Sequence, residues 1–180
     1  MKIVFGEYMI RDWAVGDAAA IVRHANNRNV ARWLRDRFPY PYRLRDAEGF
    51  LAAVSQQSPR TAFALATPTE AIGGIGLELG RDVHRFTAEL GYWLGEPFWG
   101  RGITTRAVGA IVDYAFARFD LVRLYAYVFE GNGASERVLE KNGFACEGVL
   151  RQSVFKNGRM LDQKLFALLR PDGFTPLSKR

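Results

Sequence analysis

Residues 86–119, FTAELGYWLGEPFWGRGITTRAVGAIVDYAFARF, change periodicity once and abruptly. Phe86 to Leu94 reads as a strand. From Ile103 onward the apolar residues fall at helical spacing: Ala107, Val108, Ile111, Val112, Ala115, Phe116 and Phe119 share a stripe, while Arg106, Asp113 and Arg118 lie outside it. Between strand and helix stand Gly100 and Gly102. The first N–H groups of a helix have no acceptor within it, and its dipole adds partial positive charge, so such a turn suits anionic oxygens. The glycines allow close backbone approach, and Arg101, Thr104 and Thr105 can add donors. Two nucleotide patterns fail here. A Walker loop needs Lys after the last glycine, where Ile103 stands, and a dinucleotide fingerprint needs a third glycine where Thr105 stands.

The remaining chain builds on that unit. Residues 3 to 11 read as a strand, and helical stretches follow at about 15 to 35 and 46 to 57, the second with Asp46 as its N-cap. Between them FPYPY, Phe38 to Tyr42, carries prolines at 39 and 41 that exclude helix. Thr61 to Thr67 and Ala71 to Leu79 read as a hairpin through Pro-Thr-Glu. Leu121 to Phe129 reads as a buried strand, and Gly131 to Phe144 as a loop, a short helix and a glycine stop at Gly143. Two strands around Asn157-Gly158 close the chain. The order β-α-α-β-β-β-α-β-α-β-β gives an α/β fold around a mixed sheet. Without repeats or linkers, residues 1–180 are expected to form a single domain.

With 48% hydrophobic and 24% charged residues the composition is that of an ordinary globular domain. No apolar run approaches the roughly 18 residues of a membrane span, and one cysteine, Cys146, forms no internal disulfide. A cytoplasmic location is the expectation. The net charge of +6 favours anionic partners, although no dense Lys/Arg tract is read beyond SKR at 178–180. No His/Cys/Asp/Glu spacing recommends a metal site.

AELGYWLGEPFWGRGITTRA and NGASERVLEKNGF, in this order and separation, resemble the Gcn5-related N-acetyltransferases (GNAT), especially the RimJ/RimL-like branch that acetylates ribosomal-protein N-termini. RDWAVGDA, FPYPY with the following DAEGF, and the late Asn-Gly hairpin extend the resemblance over nearly the whole chain. The resemblance implies one N-acetyltransferase domain whose central parallel strands splay apart. It also implies acetyl-CoA as co-substrate: the Gly100 to Thr104 turn, with Trp99, Gly100, Arg101, Gly102, Ile103 and Thr104, would hold the pyrophosphate. The strand edge at Trp93, Leu94 and Gly95 would bond the pantetheine amides, and Asn132 would contact them. An amide near Trp93 would polarise the thioester carbonyl. Many family members carry Gln or Arg where this chain has Pro97, which shifts more of the phosphate grip onto Arg101.

Transfer needs a neutral amine and a proton for the departing thiolate. At pH 7 deprotonation costs about 1 kcal/mol for a peptide α-amine and about 4.6 for a lysine, so an α-amine needs little help from a base. By the resemblance, Glu89 in AEL is the base candidate, directly or through water, and otherwise a polar strand residue. Ser135 is the candidate proton donor; its other role, shared with Asn132, is capping the helix. Phe38, Tyr40 and Tyr42 line the acceptor entrance or pack in the core, and Trp93 and Trp99 can wall the turn. His24 and His84 read as ordinary helix and turn residues, Cys146 as a small core residue, and Asp162 as facing the cleft or forming an ion pair. The expected reaction is direct acetyl transfer to an amine, a protein α-amine such as that of a ribosomal protein. A small amine (polyamine, amino acid or antibiotic) or a non-catalytic acyl-CoA-binding domain are the alternatives. A nucleic-acid partner is disfavoured by the lack of an aromatic-basic motif, and a homodimer is left open.

Overall fold

A computed structural model describes residues 1–171; the SKR segment lies outside the described residues. Among the described residues eight strands form one mixed sheet: β1 (Lys2–Phe5), β2 (Tyr8–Arg11), β3 (Ala62–Ala66), β4 (Ala71–Leu79), β5 (Thr87–Leu94), β6 (Arg123–Phe129), β7 (Ala145–Lys156) and β8 (Arg159–Leu169), in the order β1-β2-β3-β4-β5-β6-β8-β7. The helices are α1 (Ala18–Ala25), α2 (Arg28–Ala31), α3 (Leu44–Ser55), α4 (Ile103–Arg118) and α5 (Gly133–Glu140). Two compact units are distinguished, one of residues 1–76 and 92–107 and the other of residues 77–91 and 108–171.

In the first unit α1 and α3 cover an apolar cluster of Ile21, Ala25, Tyr42, Ala47 and Leu51, against which Trp13, Phe38, Phe50 and Trp93 pack. Burying side chains of this size stabilises by roughly 1.5–3 kcal/mol each, so the cluster fixes the segment between the helices. Arg11 donates twice to Asp17, at 2.7 Å each, and the Ala14 N–H donates to the same carboxylate at 2.8 Å. Burial alone would raise the Asp17 pKa, but the hydrogen bonds and charge of Arg11 hold it below the ordinary carboxylate value.

In the second unit β5 and β6 run parallel. Their register pairs Thr87 with Arg123, Ala88 with Leu124 and Glu89 with Tyr125, and ends there: this is the splay. β6 continues against β8 from Arg123↔Leu169 to Phe129↔Gln163. The helical stripe is as the spacing predicts, with Ile103, Ala107, Val108, Ile111, Val112 and Ala115 buried along α4. At the C-terminal end of α4, Nη2 of Arg170 donates to the carbonyls of Phe116 and Phe119, the latter at 3.2 Å.

The structure refines several boundaries. The strand expected at 3–11 is a hairpin, closed at Phe5↔Tyr8 around Gly6-Glu7. The helix expected at 15–35 breaks at Asn26-Asn27, because asparagine side chains compete with the helical ladder. Asn27 Oδ1 accepts from the Asn29 N–H at 2.8 Å, starting α2, and Asn26 Oδ1 accepts from the Tyr42 N–H at 3.1 Å. Asp46 is not the N-cap of α3: it lies inside the first turn, and its carboxylate accepts from the Arg43 N–H at 2.7 Å. Cys146 is exposed rather than a core residue, because it stands at a register shift on β7, the last strand of the sheet order. Asp162 accepts from the Gln152 N–H at 2.8 Å, bracing the second irregularity of β7.

Candidate active site

The turn between β5 and α4 belongs to the first unit. β5 ends with the Gly95 N–H donating to the Ile72 carbonyl at 2.8 Å. A short 3-10 turn, Glu96–Phe98, follows, with Pro97 near its start where the missing N–H does no harm. Glu96 is fixed by the side-chain amides of Asn27 at 2.6 Å and Asn29 at 2.9 Å. Trp99 folds back so that Nε1 donates to the Leu94 carbonyl at 2.7 Å, making it a wall of the turn. Gly100 and Gly102 have φ of +76° and +69°, and a Cβ built on either would meet nothing within 4 Å. Backbone conformation therefore demands glycine here, and the space above the turn is open. Gly102 carries the carbonyl that takes the first bond of α4, from the Arg106 N–H at 3.1 Å. Ile103 is buried beneath, and Thr104 is half-buried at the helix head. The residues present fit an anionic diphosphate. Arg101, expected to carry more of the phosphate grip, donates to the Pro97 carbonyl at 2.9 Å and lies over the Phe98 ring at 5.6 Å.

His24 was not assigned to this turn on sequence, yet the fold brings it there. It is buried on α1, its ring meets Phe98 edge-on at 5.4 Å, and a Cβ on Gly95 would stand 2.9 Å from its Nδ1. Its Nε2 lies 3.4 Å from Glu70, which also takes Arg23 at 2.6 Å. The available signal was helical spacing with Ala20, Ile21 and Ala25 in AAAIVRHA.

The acceptor-side aromatics separate into three environments. Phe38 packs on Trp93 at 5.4 Å between ring centres and on Tyr42 at 4.9 Å. Tyr42 is a core residue whose hydroxyl is pushed up to about 12 by burial and by the Asp46 charge. Tyr40 remains 53% exposed.

In the second unit Glu89 is half-buried at the last register pair before the splay. β6 ends four residues beyond its partner Tyr125, at Phe129, about 13 Å along the strand, and the turn follows. There the Asn132 N–H donates to the Phe129 carbonyl at 3.1 Å, and Asn132 Oδ1 accepts from the Ser135 N–H at 3.3 Å. Asn132 is thus the helix cap, and Ser135 is the residue capped. Glu136 next to it takes Lys164 at 2.7 Å, which holds the ammonium pKa above its ordinary value.

An α/β chain with an open positive-φ turn at a helix head carries a surface suited to an anionic group. The comparisons make that class specific. The acetyltransferase (GNAT) domain family matches residues 8–145, and the chain belongs to that family as an N-acetyltransferase. Its sequence is 31% identical over 166 residues to the uncharacterized N-acetyltransferase YoaA of Bacillus subtilis, covering 86% of this chain and 89% of YoaA. It is 30% identical over 135 residues to the spermidine N(1)-acetyltransferase of Escherichia coli, covering 74% and 70%. Among solved structures it resembles RimL, a ribosomal L7/L12 α-N-protein acetyltransferase in complex with coenzyme A, with a TM-score of 0.82 at 22% identity over 93% of this chain and 96% of that one. Among the described residues, no helix is long and apolar enough to cross a membrane.

Proposed function

We propose that residues 1–180 act as one cytoplasmic N-acetyltransferase domain that moves acetyl from acetyl-CoA directly onto a protein N-terminal α-amine. The observation that carries the co-substrate is the Gly100–Gly102 turn: positive-φ glycines, open space above them, and the head of a 16-residue helix. Bound acetyl-CoA would supply the activated acyl group. Backbone N–H groups of this turn hold its pyrophosphate, the end of β5 at Trp93 and Leu94 bonds its amide-bearing arm while the Gly95 N–H stays with the Ile72 carbonyl, and Asn132 adds a polar contact. Trp93 contributes the amide that polarises the carbonyl. Ser135, its position set by the Asn132 cap, relays a proton to the departing sulfur and recovers one from solvent, which balances the proton that leaves the amine. Glu89 takes the amine proton through water, the lighter task for an α-amine whose ordinary pKa is about 7.7–8. RimL, which acts on a protein α-amine, supports this acceptor. The spermidine enzyme among the relatives favours a second reading, a polyamine acceptor.

Mass spectrometry of products from acetyl-CoA with N-terminal peptides and polyamines separates them. The α-amine reading expects acetylated peptides and a kcat/KM that levels near pH 8, since the free amine then predominates. Acetylation of polyamines alone, with a rate still climbing at pH 9, would replace it with the second reading.

A further inference from the structure

The segment between α1 and α3 is the most strongly charged stretch of the chain. From Arg28 to Arg45 it holds six arginines (28, 32, 35, 37, 43 and 45) and one carboxylate, Asp36; Asp46 and Glu48 follow in the opening turns of α3. All six arginines are exposed. They were missed as a basic tract because apolar and aromatic residues separate them, so no Lys/Arg run appears in the sequence. Three arginines elsewhere in the first unit stand on carboxylates: Arg11 on Asp17 at 2.7 Å, Arg23 on Glu70 at 2.6 Å and Arg60 on Asp12 at 3.3 Å. From Arg28 to Arg45 the segment carries six guanidinium groups and one carboxylate, a net charge of +5, and Arg45 lies 3.8 Å from Asp46.

The same segment is anchored to the end of β5 and the turn after it. Asn27 and Asn29, on either side of Arg28, hold Glu96, while Phe38 packs on Trp93. The arginines are therefore carried on the wall that also bears the acceptor-side aromatics. A polycation approaching this wall meets like charge, whereas a chain rich in carboxylates gains several exposed pairs at once and is steered inward.

We infer that the basic surface from Arg28 to Arg45 selects acidic acceptors: polypeptides whose residues just after the acetylated α-amine carry Asp or Glu. This rests on the protein α-amine reading and narrows it. Exposed ion pairs are individually weak, roughly two- to fivefold each, so the preference comes from two or three acting together and is screened by salt.

The test uses three peptide series with one common N-terminal residue, followed by acidic, neutral or lysine-containing positions. The acidic series should exceed the neutral in kcat/KM by about tenfold at low salt, shrinking severalfold at 0.5 M salt. The combined variant Arg28→Gln, Arg32→Gln, Arg43→Gln should bring that ratio near one, and the matching lysine triple should keep most of it. Three results overturn the inference while leaving the α-amine reading intact. One is equal turnover of acidic and neutral peptides. Another is a glutamine triple that raises only the KM for acetyl-CoA. The third is an unchanged peptide ratio with salt-sensitive capture of single-stranded RNA by the same arginines. Acetylation of no peptide in any series, with a polyamine accepted, overturns both.

Discussion

Two places in this chain pass from a strand through a turn into a helix, and they close the helix head differently. After β6, Asn132 supplies its own side-chain oxygen to the Ser135 N–H, and Glu136 adds negative charge in the first turn of α5. After β5, Gly102 has no side chain to offer, and the first turn of α4 holds no acidic residue. The first head is satisfied from within, while the second has no such side chain and, on the proposed reading, takes an outside anion. Similar local architecture thus yields a structural joint in one case and, on that reading, a binding surface in the other. One side chain and one backbone conformation decide which.

The largest expected effect comes from making the second head resemble the first. Gly102→Asp places a capping carboxylate at the open turn. Asp visits left-handed φ at a cost of about 1 kcal/mol, so the melting temperature should fall by roughly 2–4 °C, while the Kd for acetyl-CoA should rise on the order of 100-fold, about 2.7 kcal/mol. Calorimetric titration checks this, and unchanged affinity would break the comparison. Next, Ser135→Ala tests whether the α5 head does more than hold itself: kcat should fall roughly 10- to 100-fold with the KM for acetyl-CoA nearly constant. Smaller again, Asn132→Ala should cost about 1 kcal/mol, a drop of roughly 2–4 °C in thermal denaturation, and Asn132→Ser should restore most of it. The smallest effect concerns acid. Because Arg11 lowers the Asp17 pKa, the pair's stabilisation is fully present above the unfolded value of about 3.9 and is lost as pH falls through the lower folded value. Between pH 7 and pH 4 the gap in unfolding free energy between wild type and Asp17→Asn, read from denaturant titrations, should change by only about a few tenths of a kcal/mol, then close in stronger acid.

Much of the frame was legible because it rests on short-range physics. The α4 stripe repeats at helical spacing over 16 residues, and Asn157-Gly158 adopts the two positive φ angles, +51° and +81°, that its hairpin requires. The glycine turn was legible because it lies between two strong periodicities. What escaped was decided by partners distant in sequence. Nothing local to His24 announces that Gly95 and Phe98 will press on its ring, or that Asn26 will bond Tyr42 and break a helical run. Cys146 looked apolar and internal, but a bulge on a terminal strand turned it outward. Phe38, Tyr40 and Tyr42 share one pentapeptide and divide into a bridge to Trp93, an exposed ring and a core phenol.

The guanidinium of Arg170 gives α4 a further property. It places a fixed cation on the carbonyls that end the helix, so the negative pole is neutralised by the chain itself. Among the described residues, the first turn at the opposite pole, where Gly102 stands, holds no acidic side chain. On the proposed reading the anionic end of coenzyme A would supply the missing charge there, and the co-substrate would stabilise this fold in proportion to its concentration over Kd.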